Sequence, residues 1–398
     1  MWVILAVSIV ALTLVGVLSL AIVGPRTEWS GRLPNDTYYL IDQIDNGTIL
    51  VAGEKHGLTA FNQDGSIIWK YEGSGMSAIS ANGTAYIGTI LPNDTQTSLC
   101  AIAPNGQMLW SHPIGNGTFL SIKIGPEGMI YSLFGYQSEV NESYEFFAFL
   151  PSGALLWQQS YPVPISFMVC NNGTLLTCAN NGWLISYSPN GTQLESVPIS
   201  DFLWFPVLSG STIFQIMVES NGNSTQARLY AINTNGSVLW RYPMDSGNGV
   251  NYSATAQGLT VDESGTSYFV RHRLDGQGSI LSAIDTNGSL LWEYQDAWIG
   301  SPAVRDDVIV ITSTSKLTAL DNDGGVLWAV NGHYYYNVPP AIAADGKIYA
   351  ITTPFGLSET DFGIVAIDET ATPFVIIIVG VVLFAAIIIC LVLIWKGR

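Results

Sequence analysis

The chain has 398 residues and a formal net charge of −17, with only 14 Lys and Arg. That balance argues against nucleic acid as a partner, because phosphate binding needs clustered cations. Only 11% of residues are charged and the polar remainder is largely Ser, Thr, Asn, Gln and Tyr, a composition suited to an extracytoplasmic setting.

The chain begins with an unbroken apolar run, Trp2 to Val23. It has the roughly 20 residues needed to cross a bilayer as a helix. Residues 1–24 are therefore a signal-anchor or a signal peptide. The n-region carries no basic residue and Ala21-Ile22-Val23 is a poor cleavage site, which favours retention. After Gly24-Pro25-Arg26 comes Thr27-Glu28-Trp29-Ser30, a short strand ending in Trp with no partner beside it.

From there one unit repeats. Tyr38 to Ile41 is an apolar strand (A), Asp45-Asn46-Gly47 is a turn and Thr48 to Ala52 is a second strand (B). Leu58 to Trp69, LTAFNQDGSIIW, then supplies strands C and D as a hairpin. Gly accepts the positive φ of such a turn, and Asn or Asp tolerates it while hydrogen-bonding locally. The hairpin recurs at Leu99–Trp110, Phe147–Trp157, Leu184–Glu195, Leu229–Trp240, Leu281–Trp292 and Leu317–Trp328. Its glycines, Gly65, Gly106, Gly153, Gly191, Gly236, Gly288 and Gly324, are 41, 47, 38, 45, 52 and 36 residues apart, close to the period of propeller blades. Glu195 stands where the other copies carry Trp, so the fourth blade is either looser or meets something else there.

An eighth unit has strand A (Pro339 to Ala343), strand B (Lys347 to Thr352) and strand C (Gly363 to Asp368), but no D. The orphan strand at Glu28-Trp29 supplies it, closing the ring without exposed edges. The expected fold is all-β: an eight-bladed propeller of four-stranded blades over residues 27–369, closed by an N-terminal strand. Both ends of the propeller then emerge from the face bearing the Asn-Gly turns. The B–C and D–A loops occupy the opposite, outward face. Residues 374–395 form a second apolar run of spanning length, and Lys396 and Arg398 place the tail, 396–398, on the inside.

These residues resemble the PQQ-like β-propeller repeat family from Trp29 to Asp368. The resemblance rests on the hairpin pattern A-[IF]-x-x-x-G-x-x-L-W, met in full by four of the seven hairpins and approached by the others, and on Ser-Pro-Ala-Val at 301–304. It implies the propeller fold, and the family holds both quinoprotein dehydrogenases and scaffold propellers that assist outer-membrane assembly. Fold alone does not choose between them. Quinoproteins of this family use vicinal cysteines, a Trp stacked on the quinone, a Ca²⁺ site of Glu, Asn and Asp and a catalytic Asp. This chain has no adjacent cysteines, and its hairpin, Ala283 to Trp292 for instance, is one residue shorter than the quinoprotein form. The reading is a scaffold-type member without cofactor, metal or catalytic residues. The recurring Trp side chains are taken as staples between blades.

Other motifs resolve against plain structural roles. Asp321-Asn322-Asp323-Gly324 stops short of a calcium loop and occupies the same turn as the uncharged copies. His56, His272 and His333 fall on outward loops of different blades and His112 on an outer strand, so they form no metal motif. There is no CxxC or Cys/His array. Cys170 and Cys178 flank a turn and are either a disulfide or two buried thiols. Twelve N-x-S/T sequons occur. Those at Asn46, Asn82, Asn172, Asn190, Asn235 and Asn287 sit in N-G-S/T turns that turn chemistry would select anyway. Those at Asn35, Asn93, Asn116, Asn141, Asn223 and Asn251 fall in outward loops and are the expected glycosylation sites. Aromatic D–A loops remain: Trp204 between blades four and five, Trp298 between six and seven, and Tyr334, Tyr335 and Tyr336 between seven and eight. They either make a binding surface or plug the funnel. The function expected is a membrane-anchored extracytoplasmic, non-enzymatic platform at a cell surface, in an envelope of archaeal type by analogy. Its partner is an envelope protein or glycan on the outward face. A PQQ-dependent dehydrogenase or other envelope enzyme is the second reading.

Overall fold

The computed structural model describes residues 25–43, 47–73, 76–91, 94–136, 143–179, 182–199, 206–220, 225–244, 252–273, 275–353 and 362–368. The apolar runs 2–23 and 374–395 lie outside these residues, and so does the tail, 396–398. Among the described residues no helix is long and apolar enough to cross a membrane.

Among the described residues the strands form eight four-stranded antiparallel sheets, seven of them of consecutive strands. Blade one runs Tyr38–Gln43, Ile49–Gly53, Gly57–Phe61 and Ile67–Tyr71. Blade eight is the exception: Ala341–Ile342, Lys347–Thr352 and Phe362–Asp368 are completed by Arg26–Leu33 from the other end of the chain. Eight apolar clusters lie between successive blades, including one of blade one with blade eight. The ring is therefore closed.

Burial explains the residue choice. In blade one, strands B and C are buried along their whole length because sheets pack against both faces, so they read as near-continuous apolar runs. Strand D lies outermost and alternates between exposed and half-buried.

The hairpin holds a feature invisible in the repeat pattern. Ala60 pairs with Trp69 and Phe61 with Ile67, so Ile68 is an extra residue, a β-bulge. The same shift follows the Ala–Trp pair in blades two, three, five, six and seven, and the Ser186–Glu195 pair in blade four. Blade eight reproduces it across two separate chain segments, with Ala366 opposite Trp29 and Ile367 opposite Thr27. The split hairpin thus keeps the geometry of the intact ones.

Each staple has a fixed seat. The indole of Trp240 lies over the next blade's turn, where a Cβ on Gly288 (φ +87°) would come within 2.8 Å of the ring. Its Nε1–H donates to the Thr286 carbonyl at 2.8 Å. Trp69, Trp110, Trp157 and Trp292 likewise donate to the carbonyls of Pro104, Pro151, Pro189 and Asn322. In every case the acceptor stands two residues before the turn glycine. Glycine meets two demands at once, the left-handed backbone and the approach of an indole. Trp29 covers Gly65 in the same way and stacks near Phe61 and Tyr349. Its Nε1–H, however, is buried without an acceptor among the described residues.

Register also places the ends. Asp368 pairs with both Lys347 and Arg26, so the propeller leaves and enters on the turn face. Lys347 Nζ meets Glu28 Oε2 at 2.8 Å, tying strand B to the closing strand D.

Candidate functional site: an aromatic patch on the loop face

The D–A loop between blades six and seven is built to hold an aromatic outward. Asp296, at the end of strand Leu290–Asp296, accepts from the Ala297 N–H at 2.8 Å and pairs with Lys316 Nζ at 3.0 Å. Trp298 follows with φ +42°, a left-handed conformation costly for a bulky residue. The chain then re-enters the core: Ile299 is fully buried, and its N–H donates to Ser279 Oγ at 3.1 Å. With both sides pinned, Trp298 remains 43% exposed.

His272 supports it from strand Ser267–Arg273. The two rings stack with centroids 5.4 Å apart and planes 29° apart. His272 Nδ1 lies 2.8 Å from Ser279 Oγ, so one serine orients both the histidine and the loop. Burial lowers the His272 pKa from its ordinary value, which favours a neutral ring at neutral pH.

The next loop abuts this one. A Cβ on Gly300 would lie 2.3 Å from the Tyr336 carbonyl oxygen, so only glycine permits the approach. The Gly300 N–H donates to the Thr312 carbonyl at 2.8 Å, and the Tyr335 N–H donates to the Ile351 carbonyl at 2.8 Å. Tyr336 is 38% exposed and stands on the same face as Trp298.

The expected surface is thereby revised. Tyr334 is 4% exposed and packs with Val310, Leu317 and Ile348 in the core between blades seven and eight. Burial pushes its hydroxyl up to about 12. Its backbone bridges to Thr352, at the end of the second strand of blade eight, which seats this loop against the core between the blades. Tyr335 is half-buried, edge-on to Phe362 at 5.3 Å. Trp204 lies outside the described residues. The surface reduces to Trp298, His272 and Tyr336.

Among the expected glycosylation sites, Asn35 and Asn116 are exposed, while Asn93, Asn141, Asn223 and Asn251 lie outside the described residues. The turn sequons have a structural cause. Asn172 accepts from the Thr174 N–H at 3.0 Å and Asn235 from the Ser237 N–H at 3.0 Å. The third residue of such a sequon is thus the donor closing an Asx turn.

The remaining motifs settle as follows. Asp321 Oδ1 accepts from the N–H groups of Asp323 and Gly325 at 3.0 and 2.7 Å, closing its turn. No group of His, Cys, Asp or Glu able to hold a metal ion occurs among the described residues. Cys170 and Cys178 are both thiols. Five staple indoles are bound to carbonyls between blades. Held there, these five are not disposed to stack on a quinone.

One polar cluster has no signature in the sequence. Asp36, its side chain fully buried, accepts from the N–H groups of Thr37, Lys55 and His56 and lies 3.1 Å from His56 Nδ1. It ties the loop after the closing strand to the B–C loop of blade one. Nothing in the pattern links residues twenty apart on separate loops.

A family model described as outer membrane protein assembly factor BamB matches residues 25–121 and 148–361. No curated protein sequence matches the chain. BamB from Moraxella catarrhalis has a similar structure, with a TM-score of 0.54 and 15% identity over 86% of this chain and 99% of that one. The quinohemoprotein alcohol dehydrogenase ADHIIG from Pseudomonas putida HK5 gives 0.58 and 12%, covering 88% and 77%. Sqt1 from Saccharomyces cerevisiae gives 0.53 and 11%, covering 86% and 99%. At these identities the likeness concerns the fold.

Proposed function

The chain belongs to the PQQ-like propeller family whose model is described as outer membrane protein assembly factor BamB, and from that premise we propose that it is a non-enzymatic assembly platform. It captures a protein partner on the loop face of blades six to eight. The observation carrying this reading is Trp298, an exposed indole in a strained backbone conformation, stacked on His272 in a loop that abuts the one bearing Tyr336. A rigid, partly exposed aromatic loses little entropy on binding, and such residues anchor interfaces.

Membrane anchorage is part of the proposal and rests on the apolar runs at 2–23 and 374–395 with Lys396 and Arg398 behind the second. Since both propeller ends sit on the turn face, two such anchors would turn the loop face outward. Glycosylation at the outward sequons belongs to the same reading, supported by the exposure of Asn35 and Asn116. Intact mass before and after deglycosylation tests it, and no shift refutes it.

The platform is tested by pull-down from detergent-solubilised membranes with the full chain and with Trp298→Ala. The expected result is a captured protein that the variant loses while its thermal midpoint is unchanged. Equal capture by both refutes the assignment of the patch. Turnover on addition of PQQ and Ca²⁺, followed by dye reduction, would overturn the non-enzymatic reading itself.

A further inference from the structure

The joint between blades four and five departs from the others. Glu195 stands opposite Ser186 where Trp stands opposite Ala in the other blades. Val197, two residues along the same strand, reaches over Gly236 in place of an indole, 2.9 Å from where a Cβ would lie. Beside it a cavity of about 400 Å³ opens on the turn face, lined among others by Asn172, Leu176, Ser186, Glu195, Ser211 and Thr234. Thr234 stands two residues before Gly236. Its carbonyl is thus the counterpart of those that accept an indole N–H at five other joints, and among the described residues no indole reaches it. Ser186 Oγ is engaged by the Glu195 backbone, and no ion pair holds the exposed Glu195 carboxylate among the described residues.

The socket is therefore rich in acceptors and supplies no cation of its own. An indole arriving from outside would satisfy the carbonyl and leave the carboxylate unpaired. An ammonium would pair with the carboxylate but is a compact point charge without a fixed fork of donors. A guanidinium is planar, carries five donors and reaches a carboxylate and a carbonyl together. The net charge of −17 favours a basic partner at long range. We propose that this notch is a recognition socket for an arginine side chain of a partner protein. It lies on the turn face, away from the Trp298 patch, and the two assignments stand or fall separately.

The test uses the full chain in detergent and three short peptides identical except for a central arginine, citrulline or lysine, with binding read from the broadening of peptide NMR signals. Citrulline keeps the shape and removes the charge. Glu195→Gln and Glu195→Trp are compared with the unaltered chain. Trp at 195 is compatible with the neighbouring Val197, because blade seven carries Trp328 and Val330 at the corresponding positions. The expected result is binding of the arginine peptide, weakened about tenfold by Glu195→Gln, as for loss of a charge-assisted bond. Glu195→Trp should abolish binding and raise the thermal midpoint. Equal binding of the citrulline or lysine peptide, retention of full binding by both variants, or no binding of the arginine peptide at its solubility limit overturns the proposal. Should Glu195→Trp fail to fold, Glu195→Gln and the peptide series still decide it.

Discussion

Two indoles that share one role differ in one atom's environment, and that difference is measurable. Replacing Trp292 by Phe keeps an aromatic over Gly324 but removes the N–H that donates to the Asn322 carbonyl. The lost hydrogen bond costs about 1 kcal/mol and the smaller ring about 1 kcal/mol more. At Trp29 the ring loss is the same. The Nε1–H there is buried without an acceptor among the described residues, a burden of about 1–3 kcal/mol that Phe removes. Trp292→Phe is therefore expected to destabilise by about 2 kcal/mol, and Trp29→Phe to lie near neutral or slightly above it. Urea midpoints of the full chain, followed by far-UV circular dichroism at constant slope, read the difference. Trp29→Phe destabilising as much as Trp292→Phe would refute the reasoning and imply that the closing indole has a partner.

Alkaline pH should unfold the ring in a defined window. Burial pushes Tyr39 and Tyr349 up to about 12. Hydroxyls that stay protonated when folded but ionise near 10 when unfolded contribute stability that is intact below pH 10 and lost as pH rises towards 12. Tyrosinate absorbance should therefore rise together with loss of circular dichroism, and a rise preceding unfolding would refute this. Asp36→Ala strands three backbone donors and is expected to cost about 3 kcal/mol, read as a lower thermal midpoint; an unchanged midpoint would show that water replaces the carboxylate. Cys100 is buried, and desolvation pushes its thiol up to about 11. Peptide mapping after thiol labelling at neutral pH should find it unmodified until the protein is denatured.

The architecture was legible in the sequence because its causes are local. An Asn or Asp before Gly sets a turn, two apolar strands flank it, and seven copies cannot be accidental. Counting strands exposed the missing outer strand of blade eight, and Trp29 had no other place to go. Even the face from which both ends emerge followed from strand parity. The bulge opposite each Ala was not legible, since an extra residue in a five-residue strand leaves the apolar pattern intact. It appears only once two strands are laid in register.

The site was half legible for a related reason. Sequence marks Trp298 and the three tyrosines alike as aromatics in loops, yet the structure exposes Trp298 and Tyr336 and buries Tyr334. That choice depends on how the loop is seated against the neighbouring strand Lys347–Thr352, and Thr352, the partner of Tyr334, is eighteen residues away on another blade. The clasp of His56 by Asp36 and the stacking of His272 on Trp298 are contacts of the same kind. Glu195 stood out in the sequence as a broken repeat, but whether the gap closes or opens depended on Val197 and the turn of blade five. Short-range chemistry determined the frame; the placement of side chains between blades, set by long-range packing, decided what that frame presents.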